Sequence, residues 1–209
     1  MTTAAEDSRG AWEVLERHPA YRGFFALDVL KLRHRRFDGT WSDVLVREQF
    51  LMRTAVSVLP YHAASDTVVL VEQFRAGVVG VLPRAWLIEA PAGLAEPDEA
   101  LEDVARRECR EETGLALGRL RHACDYASSP GACSEVVRYF VGELTAPPCP
   151  GVSGMAGEGE DIRSHVVPLE EAVAMVEDGR ILGVTGVIGV LWLAANATKL
   201  RREWAAAGP

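Results

Sequence analysis

The residues of this chain best suited to chemistry are glutamates that recur in one short segment, GLAEPDEALEDVARRECREETGL, at residues 93–115. On a helix, where successive side chains turn by about 100°, Glu108 and Glu112 lie about 40° apart on one face. The apolar stripe that they continue is formed by Leu101, Val104 and Ala105. Acidic groups four residues apart repel each other, and burying them costs more still, unless a cation lies between them. Because hard divalent cations prefer oxygen ligands, the segment predicts a metal site on the inward face of a helix.

The two ends of this helix carry recognisable signals. Pro97 would lie in the first turn, with Asp98 and Glu99 near the positive end of the helix dipole, and Gly114 would stop the helix. The sequence therefore predicts a helix from Pro97 to Thr113. An amphipathic helix with an ordinary acidic surface is the alternative interpretation. The outer face already has its solvated residues, which are Asp103, Arg106 and Arg110.

Composition bounds the class of protein. The chain has 209 residues, 48% of them apolar and 25% charged, which favours a globular protein of one large domain or a core with a smaller appended unit. A formal net charge of −8, without a long Lys or Arg block, argues against nucleic-acid binding. The apolar stretch 181–197 is interrupted by three glycines and is short for a membrane span, and residues 1–10 do not resemble a signal peptide. The sequence therefore predicts a cytoplasmic protein with no membrane partner. The four cysteines lack a C-x-x-C pair and are expected to be reduced core thiols.

The elements around the acidic helix are mainly strands. Asp38-Gly39 is a hairpin turn signal between two of them, so a small antiparallel unit is expected near the N-terminus. The run 145–159 holds three prolines and four glycines and is predicted to be an irregular loop. The predicted strands are 24–32, 42–50, 54–59, 65–74, 86–90, 122–127, 136–144 and 162–167, and the other predicted helices are 12–17, 168–177 and 184–197.

The acidic segment resembles the Nudix box at every polar and glycine position that the box specifies. Gly93 is followed after five residues by Glu99, and after seven more by RECREETGL at residues 107–115. Cys109 stands where the family usually has an aliphatic residue, and a buried cysteine behaves as a small hydrophobe. The match is long and therefore specific.

The flanking segments extend this resemblance to the bacterial ADP-ribose pyrophosphatases, over the chain from about Tyr21 to Trp204. They include YRGFF, VRE, VEQFR, SSPG and GEGEDIR, in that order. Ala132 and Met52 depart from the subfamily pattern and bear on the substrate rather than on the reaction. The resemblance implies an α/β (α+β) fold, a Nudix α/β/α sandwich with a mixed sheet and a small N-terminal antiparallel β unit. Residues 1–53 would form that unit, exchanged in a homodimer, and residues 54–209 the hydrolase domain.

The activity that the resemblance implies is Mg²⁺-dependent hydrolysis of ADP-ribose to AMP and ribose 5-phosphate, with Mn²⁺ as a substitute for Mg²⁺. A pyrophosphatase for another nucleotide sugar, such as a GDP-sugar, is the first alternative. A sensor that binds ADP-ribose without hydrolysing it is the second. The four glutamates of the box and the lack of a basic helix-turn-helix segment argue against a sensor.

The resemblance also implies the residues that hold the metal and activate water. The expected metal ligands are Glu108, Glu111, Glu112, Glu160 and the carbonyl of Ala92. For Glu111, which lies about 60° from Glu108 on the helix, a purely electrostatic role without direct contact to the metal is the alternative. The general base is expected on the glycine-rich loop, at Glu158 or at Glu160, where loop closure would delay activation of water until substrate is bound. A solvated loop without a catalytic role is the alternative interpretation.

The substrate-binding residues are expected in several parts of the chain. Arg75, at a strand end, has the planar guanidinium that suits bidentate phosphate contact, although an exposed structural arginine is the alternative. Phe24 and Phe25 would enclose the adenine, although aromatic side chains in a hairpin are often simply core. The resemblance adds Arg47, Glu48, Leu94, Ser129, Pro130, Gly131 and Glu135.

Overall fold

The structure, a computed structural model, describes residues 11–154, 157 and 159–206. The chain divides into two units. Unit 1 consists of residues 1–53 together with residues 127–136, and unit 2 consists of residues 54–126 and 137–209. The exchange of residues 1–53 between two copies stays a prediction.

Unit 1 is built on a three-stranded antiparallel sheet. Its strands are β1 (Trp12–Arg22), β2 (Ala26–His34) and β3 (Leu45–Leu51), in the order β1-β2-β3. The expected hairpin turn at Asp38-Gly39 is confirmed, because Gly39 has a φ of +82° between the last two strands. The predicted helix at residues 12–17 is wrong, because this segment pairs with β2 along its whole length. Asp28, buried on β2, accepts hydrogen bonds from Arg17 and Arg22.

Unit 2 contains the larger sheet. Its strands are β4 (Ala55–His62), β5 (Thr67–Phe74), β6 (Trp86–Glu89), β7 (Ala92–Leu94), β8 (Leu120–Ala127), β9 (Val136–Glu143), β10 (Val152–Ser153) and β11 (Ile162–Pro168). The strand order is β10-β11-β5-β4-β9-β8, with β6 paired to β5 and β7 paired to β4. The sheet is mixed, because β4 and β9 run parallel whereas β4 and β5 run antiparallel. The prediction of an irregular loop at residues 145–159 missed β10, which pairs with the start of β11.

Helices cover both faces of this sheet in unit 2. One face packs against α1 (Leu101–Thr113), through a cluster that includes Val56, Val58 and Phe140. The other face packs against α2 (Leu169–Glu177) and α3 (Val184–Ala206), through the larger cluster around Leu59 and Tyr61. The α/β/α sandwich with a mixed sheet is therefore confirmed. The helix α3 continues beyond the predicted end at Ala197 because Leu200 and Trp204 extend its buried stripe.

The acidic helix α1 starts later than predicted and ends where predicted. It begins at Leu101, since residues 96–99 form a turn in which Glu99 N donates to Glu96 O over 3.2 Å and Asp98 has a φ of +66°. Gly114, with a φ of +72°, ends the helix and donates its N–H to Arg110 O over 2.8 Å. The left-handed conformation at this position favours glycine.

Two further expectations concern the cysteines and the membrane. All four cysteines are free thiols, but only Cys109 is buried, and Cys149 is exposed, so the expectation of core thiols is wrong for Cys149. Within the described ranges, none of the helices has the combination of length and hydrophobicity that a membrane span requires.

Candidate active site

Glu108 and Glu112 form the centre of the candidate site on the buried face of α1. Their exposed fractions are 8% and 4%. The strand β7 lies against them: the N–H of Ala92 donates to Glu112 Oε2 over 3.3 Å. A Cβ at Gly93 would overlap the carboxylate of Glu108. A larger residue in place of the glycine that opens the acidic segment would therefore displace the carboxylate of Glu108.

The two carboxylates are short of positive charge. Burial, followed by repulsion from Glu108, raises the pKa of Glu112 to about 8, and Arg75 offsets this only in part. Burial also raises the pKa of Glu108, against the attraction of Arg107. Glu160 raises the pKa of both residues, so its carboxylate belongs to the same cluster of negative charge. Such an imbalance is typical of functional sites rather than of structural ion pairs.

Arg107 connects the acidic residues of the helix to the preceding turn. Its Nε donates to Glu99 Oε1 over 3.0 Å, which forms an ion pair between two positions of the acidic segment. Its Nη1 donates to Glu108 Oε1 over 2.6 Å and to Glu111 Oε2 over 3.1 Å. The pKa of Glu99 is lowered mainly by its hydrogen bond to Arg107. Arg107 therefore orders the helix and its turn.

The donor set fits a divalent cation by its chemistry. Buried carboxylate oxygens are the ligands that Mg²⁺, Mn²⁺ and Ca²⁺ prefer, and a cation would relieve the repulsion that raises the pKa of Glu112. Glu111 and the backbone of Ala92 lie beside these carboxylates, on α1 and β7. In the part of the chain that the structure describes, no three acidic, His or Cys side chains are already arranged around one ion position. Arg107 instead pairs with one oxygen of Glu108 and one oxygen of Glu111.

Of the two candidates for the general base, Glu160 lies within the described residues. Glu158 lies outside the described residues. Glu160 is half-buried just before β11, and its backbone packs against Gly154, which has a φ of +117°. Its effect on the pKa of Glu108 and of Glu112 associates Glu160 with the predicted metal ligands.

Arg75 is paired with a carboxylate that sequence reasoning missed. Its Nε donates to Glu89 Oε2 over 2.6 Å, and Glu89 is buried at the end of β6. The available signal was a charged residue at the end of the apolar strand WLIE. Leu94, another predicted substrate contact, lies on β7, and its carbonyl accepts a hydrogen bond from Arg107 over 3.4 Å.

The remaining predicted substrate contacts belong to unit 1. The rings of Phe24 and Phe25 meet edge to face, with centroids 4.8 Å apart, and Phe24 is 90% exposed. The expectation that such aromatic residues are simply core does not apply to Phe24. Arg47 and Glu48 are exposed on β3. The other four contacts lie between β8 and β9, where Ser129 O accepts from Cys133 N over 2.8 Å: Ser129, Pro130, Gly131 and Glu135.

Comparison with known proteins agrees with the geometry of this candidate site. The NUDIX domain family matches residues 51–182. The ADP-ribose pyrophosphatase of Escherichia coli (strain K12) is 42% identical over 193 residues, which is 92% of each chain. The GDP-mannose pyrophosphatase of Pectobacterium atrosepticum is 36% identical over 137 residues, 65% of this chain and 70% of that one. A crystal structure of an ADP compounds hydrolase, 20% identical in sequence, superposes with a TM-score of 0.68 and covers 94% of this chain and 95% of its own. With its acidic box on the inward face of α1, the chain belongs to the NUDIX family of hydrolases.

Proposed function

We propose that this chain hydrolyses the pyrophosphate bond of ADP-ribose, giving AMP and ribose 5-phosphate. The single observation that carries the reaction type is the pair of buried carboxylates, Glu108 and Glu112, whose pKa values are raised by burial and by repulsion from neighbouring glutamates. The choice of ADP-ribose rests on the similarity to the E. coli enzyme, which extends over 92% of both chains.

A divalent cation, proposed to be Mg²⁺ or in its place Mn²⁺, would supply charge neutralisation at the phosphate oxygens. Glu108, Glu112, Glu111, Glu160 and the carbonyl of Ala92 would hold it. Arg75 would bind a phosphate group through its planar guanidinium. The carboxylate of Glu158, or of Glu160, would take the proton from the attacking water. These roles divide the work between a fixed helix and the glycine-rich segment before β11.

Recognition of the nucleoside is proposed for unit 1. Phe24 and Phe25 offer an exposed edge-to-face pair that would pack against adenine, and Arg47 and Glu48 offer charged groups beside it. We propose that these residues come from the partner copy of a homodimer. The cytoplasmic location expected from the sequence stays a prediction.

The alternative substrate is a GDP-sugar. It is favoured by the similarity to the Pectobacterium GDP-mannose pyrophosphatase, but that similarity covers only 65% of this chain. A non-catalytic sensor is disfavoured because the glutamates of the acidic box are all present. We therefore rank ADP-ribose first.

The proposed function is tested with a panel of ADP-ribose, ADP-glucose, GDP-mannose and dinucleoside polyphosphates, each with Mg²⁺ and with EDTA. We expect the highest kcat/KM for ADP-ribose, AMP and ribose 5-phosphate as products, and no turnover in EDTA. Turnover that persists in EDTA, or no hydrolysis of any of these compounds, would contradict the proposal. A preference for GDP-mannose would support the proposed reaction type but contradict ADP-ribose as the substrate.

The base is tested separately with Glu158→Gln. If Glu158 is the base, kcat falls by about 10²-fold or more while the dissociation constant for ADP-ribose in EDTA changes little. Glu160→Gln is made alongside. A near-normal kcat for Glu158→Gln would transfer the role to Glu160 or to a glutamate of the box.

The contribution of a partner copy is tested with Arg47→Ala. We expect weaker binding of ADP-ribose, since a charged contact to the substrate is lost. Mixing Arg47→Ala with Glu108→Gln creates dimers in which one of the two sites has neither defect, if Arg47 acts on the partner's site. Activity of the mixture above that of either variant supports exchange. Activity no higher than the two variants give separately contradicts it.

A further inference from the structure

Glu89 is a buried carboxylate beside the candidate site to which the proposed reaction gives no role. It ends β6 opposite Val71 of β5, and its Oε2 accepts the hydrogen bond from Arg75 Nε. The side chain of Glu89 is 11% exposed and that of Arg75 is 41% exposed. Since burying a carboxylate is costly without a charge partner, the ion pair with Arg75 is what allows Glu89 to lie buried at this position.

Two glycines at the start of α3 leave the space that Glu89 occupies. A Cβ at Gly183 would lie 2.5 Å from Glu89 Oε1, which is well inside van der Waals contact. A Cβ at Gly186 would lie 3.3 Å from the Cα of Glu89. The position of this carboxylate is therefore limited by α3 on one side and by Arg75 on the other.

Arg75 is attracted by two acidic residues at once. It forms its hydrogen bond with Glu89, and it also lowers the pKa of Glu112. Without Glu89, the guanidinium of Arg75 would lose the hydrogen bond that fixes its orientation. A guanidinium that is free to turn would no longer hold its donors in one place for a ligand.

The pair with Glu89 uses only one edge of the guanidinium. Among the contacts of the described residues, Nε of Arg75 donates to Glu89, whereas its two terminal nitrogens donate no hydrogen bond. Those nitrogens present the donors that a planar guanidinium uses for bidentate contact with phosphate.

We propose that Glu89 is a positioning residue, which holds Arg75 so that its terminal nitrogens bind a phosphate of the substrate. The proposal deepens the proposed function and rests on it for the phosphate ligand. Glu89 itself touches neither substrate nor metal in this role. Its effect is therefore on binding of the pyrophosphate group rather than on the chemical step.

The test compares Glu89→Gln and Glu89→Ala with Arg75→Ala and with the double variant Glu89→Ala/Arg75→Ala. The kcat and KM for ADP-ribose are measured with Mg²⁺, and dissociation constants for ADP-ribose and for inorganic pyrophosphate are measured by calorimetry in EDTA. We expect Glu89→Ala to raise KM and both dissociation constants about tenfold, with kcat changed by less than about threefold. Glu89→Gln keeps an acceptor for Arg75 and is expected to be milder. The double variant should bind no more weakly than Arg75→Ala, because Glu89 acts through Arg75.

The chain contains a matched control pair. Arg119 and Glu143 form a similar ion pair in unit 2, with side chains 34% and 14% exposed, away from the predicted site residues. Glu143→Gln removes the same charge and is expected to leave KM and both dissociation constants unchanged. Gly183→Ala is a second way to displace Glu89 and should reproduce the rise in KM. Gly151→Ala is its control, since a Cβ there meets nothing closer than 3.9 Å.

Three results would overturn the proposal. One is an unchanged KM in Glu89→Ala, and the second is a fall in kcat at constant KM, which would indicate a catalytic or metal-binding role for Glu89. The third is equal binding of pyrophosphate by wild type and Arg75→Ala. Failure of the proposed function is a separate outcome: a wild type that binds ADP-ribose without hydrolysing it loses the function, while the calorimetry still decides the role of Glu89.

Discussion

The two ends of strand β4 differ in how much positive charge lies beside their buried carboxylates. Near its C-terminal end, where Tyr61 pairs with Glu143, Arg119 donates to both oxygens of Glu143 over 2.7 and 2.5 Å. That hydrogen bonding lowers the pKa of Glu143. Near its N-terminal end, where β4 pairs with β7, the nearby arginines only partly offset the burial of Glu108 and Glu112. The pKa values of both residues are therefore raised.

The difference shows which buried acids are structural and which are functional. A carboxylate with a bidentate arginine has its charge compensated inside the protein and has little affinity left for another cation. Carboxylates with raised pKa values hold free energy that a ligand can release on binding. The end of β4 that carries the Arg119–Glu143 pair, called here the balanced end, is therefore expected to affect stability. The end beside Glu108 and Glu112 is expected to affect activity.

The largest effect is expected for Glu112→Gln. Loss of this charge should lower kcat/KM for ADP-ribose by about 10²-fold or more, because a predicted metal ligand is removed, whereas Glu143→Gln should remain near wild type. Steady-state kinetics over a range of Mg²⁺ concentrations measures both variants. Similar losses in the two variants would remove the distinction between the ends of β4.

The next effect is a pH dependence of stability in EDTA. The pKa of Glu112 rises from an ordinary 4.5 to about 8 on folding, so the folded state holds this proton more tightly than the unfolded state does. Stability should therefore fall as pH rises between these values, by up to about 1.4 kcal/mol per pH unit, and level off above pH 8. Urea unfolding of wild type and Glu112→Gln isolates this contribution, since the variant should become relatively more stable as pH rises. A difference that does not vary with pH contradicts the raised pKa.

A smaller effect on stability is expected at the balanced end. Glu143→Gln removes the charge of a carboxylate that accepts hydrogen bonds from Arg119 and should lower the free energy of unfolding by about 1–3 kcal/mol, less than for a fully buried pair because Arg119 is partly solvated. Glu203→Gln, which breaks the exposed pair with Arg121, is the matched control and should cost less than about 0.5 kcal/mol. Equal losses in the two variants would show that burial at Glu143 adds nothing.

Local periodicity was enough to predict the inward face of α1 and its end at Gly114, because both depend on residues within one or two turns. The helix starts later than the sequence predicts, since Glu96 and Glu99 form a hydrogen-bonded turn that competes with the first helical turn. Residues 12–17 form a strand where the sequence predicts a helix, because pairing with the strand β2 overrides their local preference.

Glu89 could not be predicted as part of the site from spacing alone. Its charge partner lies on another strand, and the space for its carboxylate depends on Gly183, far along the chain. Such a residue has no local pattern, only a charge at the end of an apolar strand. Predictions from sequence were strongest where the functional residues share one helix and weakest where they meet through tertiary contacts.

The inclusion of residues 127–136 in unit 1 has a consequence for protein engineering. The backbone of Phe50 bonds to this segment on both sides, through Ala132 O at 2.8 Å and Ser134 N at 3.0 Å. Three covalent connections therefore join the units, after residues 53, 126 and 136. A truncation that starts at residue 54 would remove the sheet of unit 1. It would leave residues 127–136 without Phe50, their backbone hydrogen-bonding partner. A deletion that spares unit 2 has to replace residues 127–136 with a short β8–β9 turn as well.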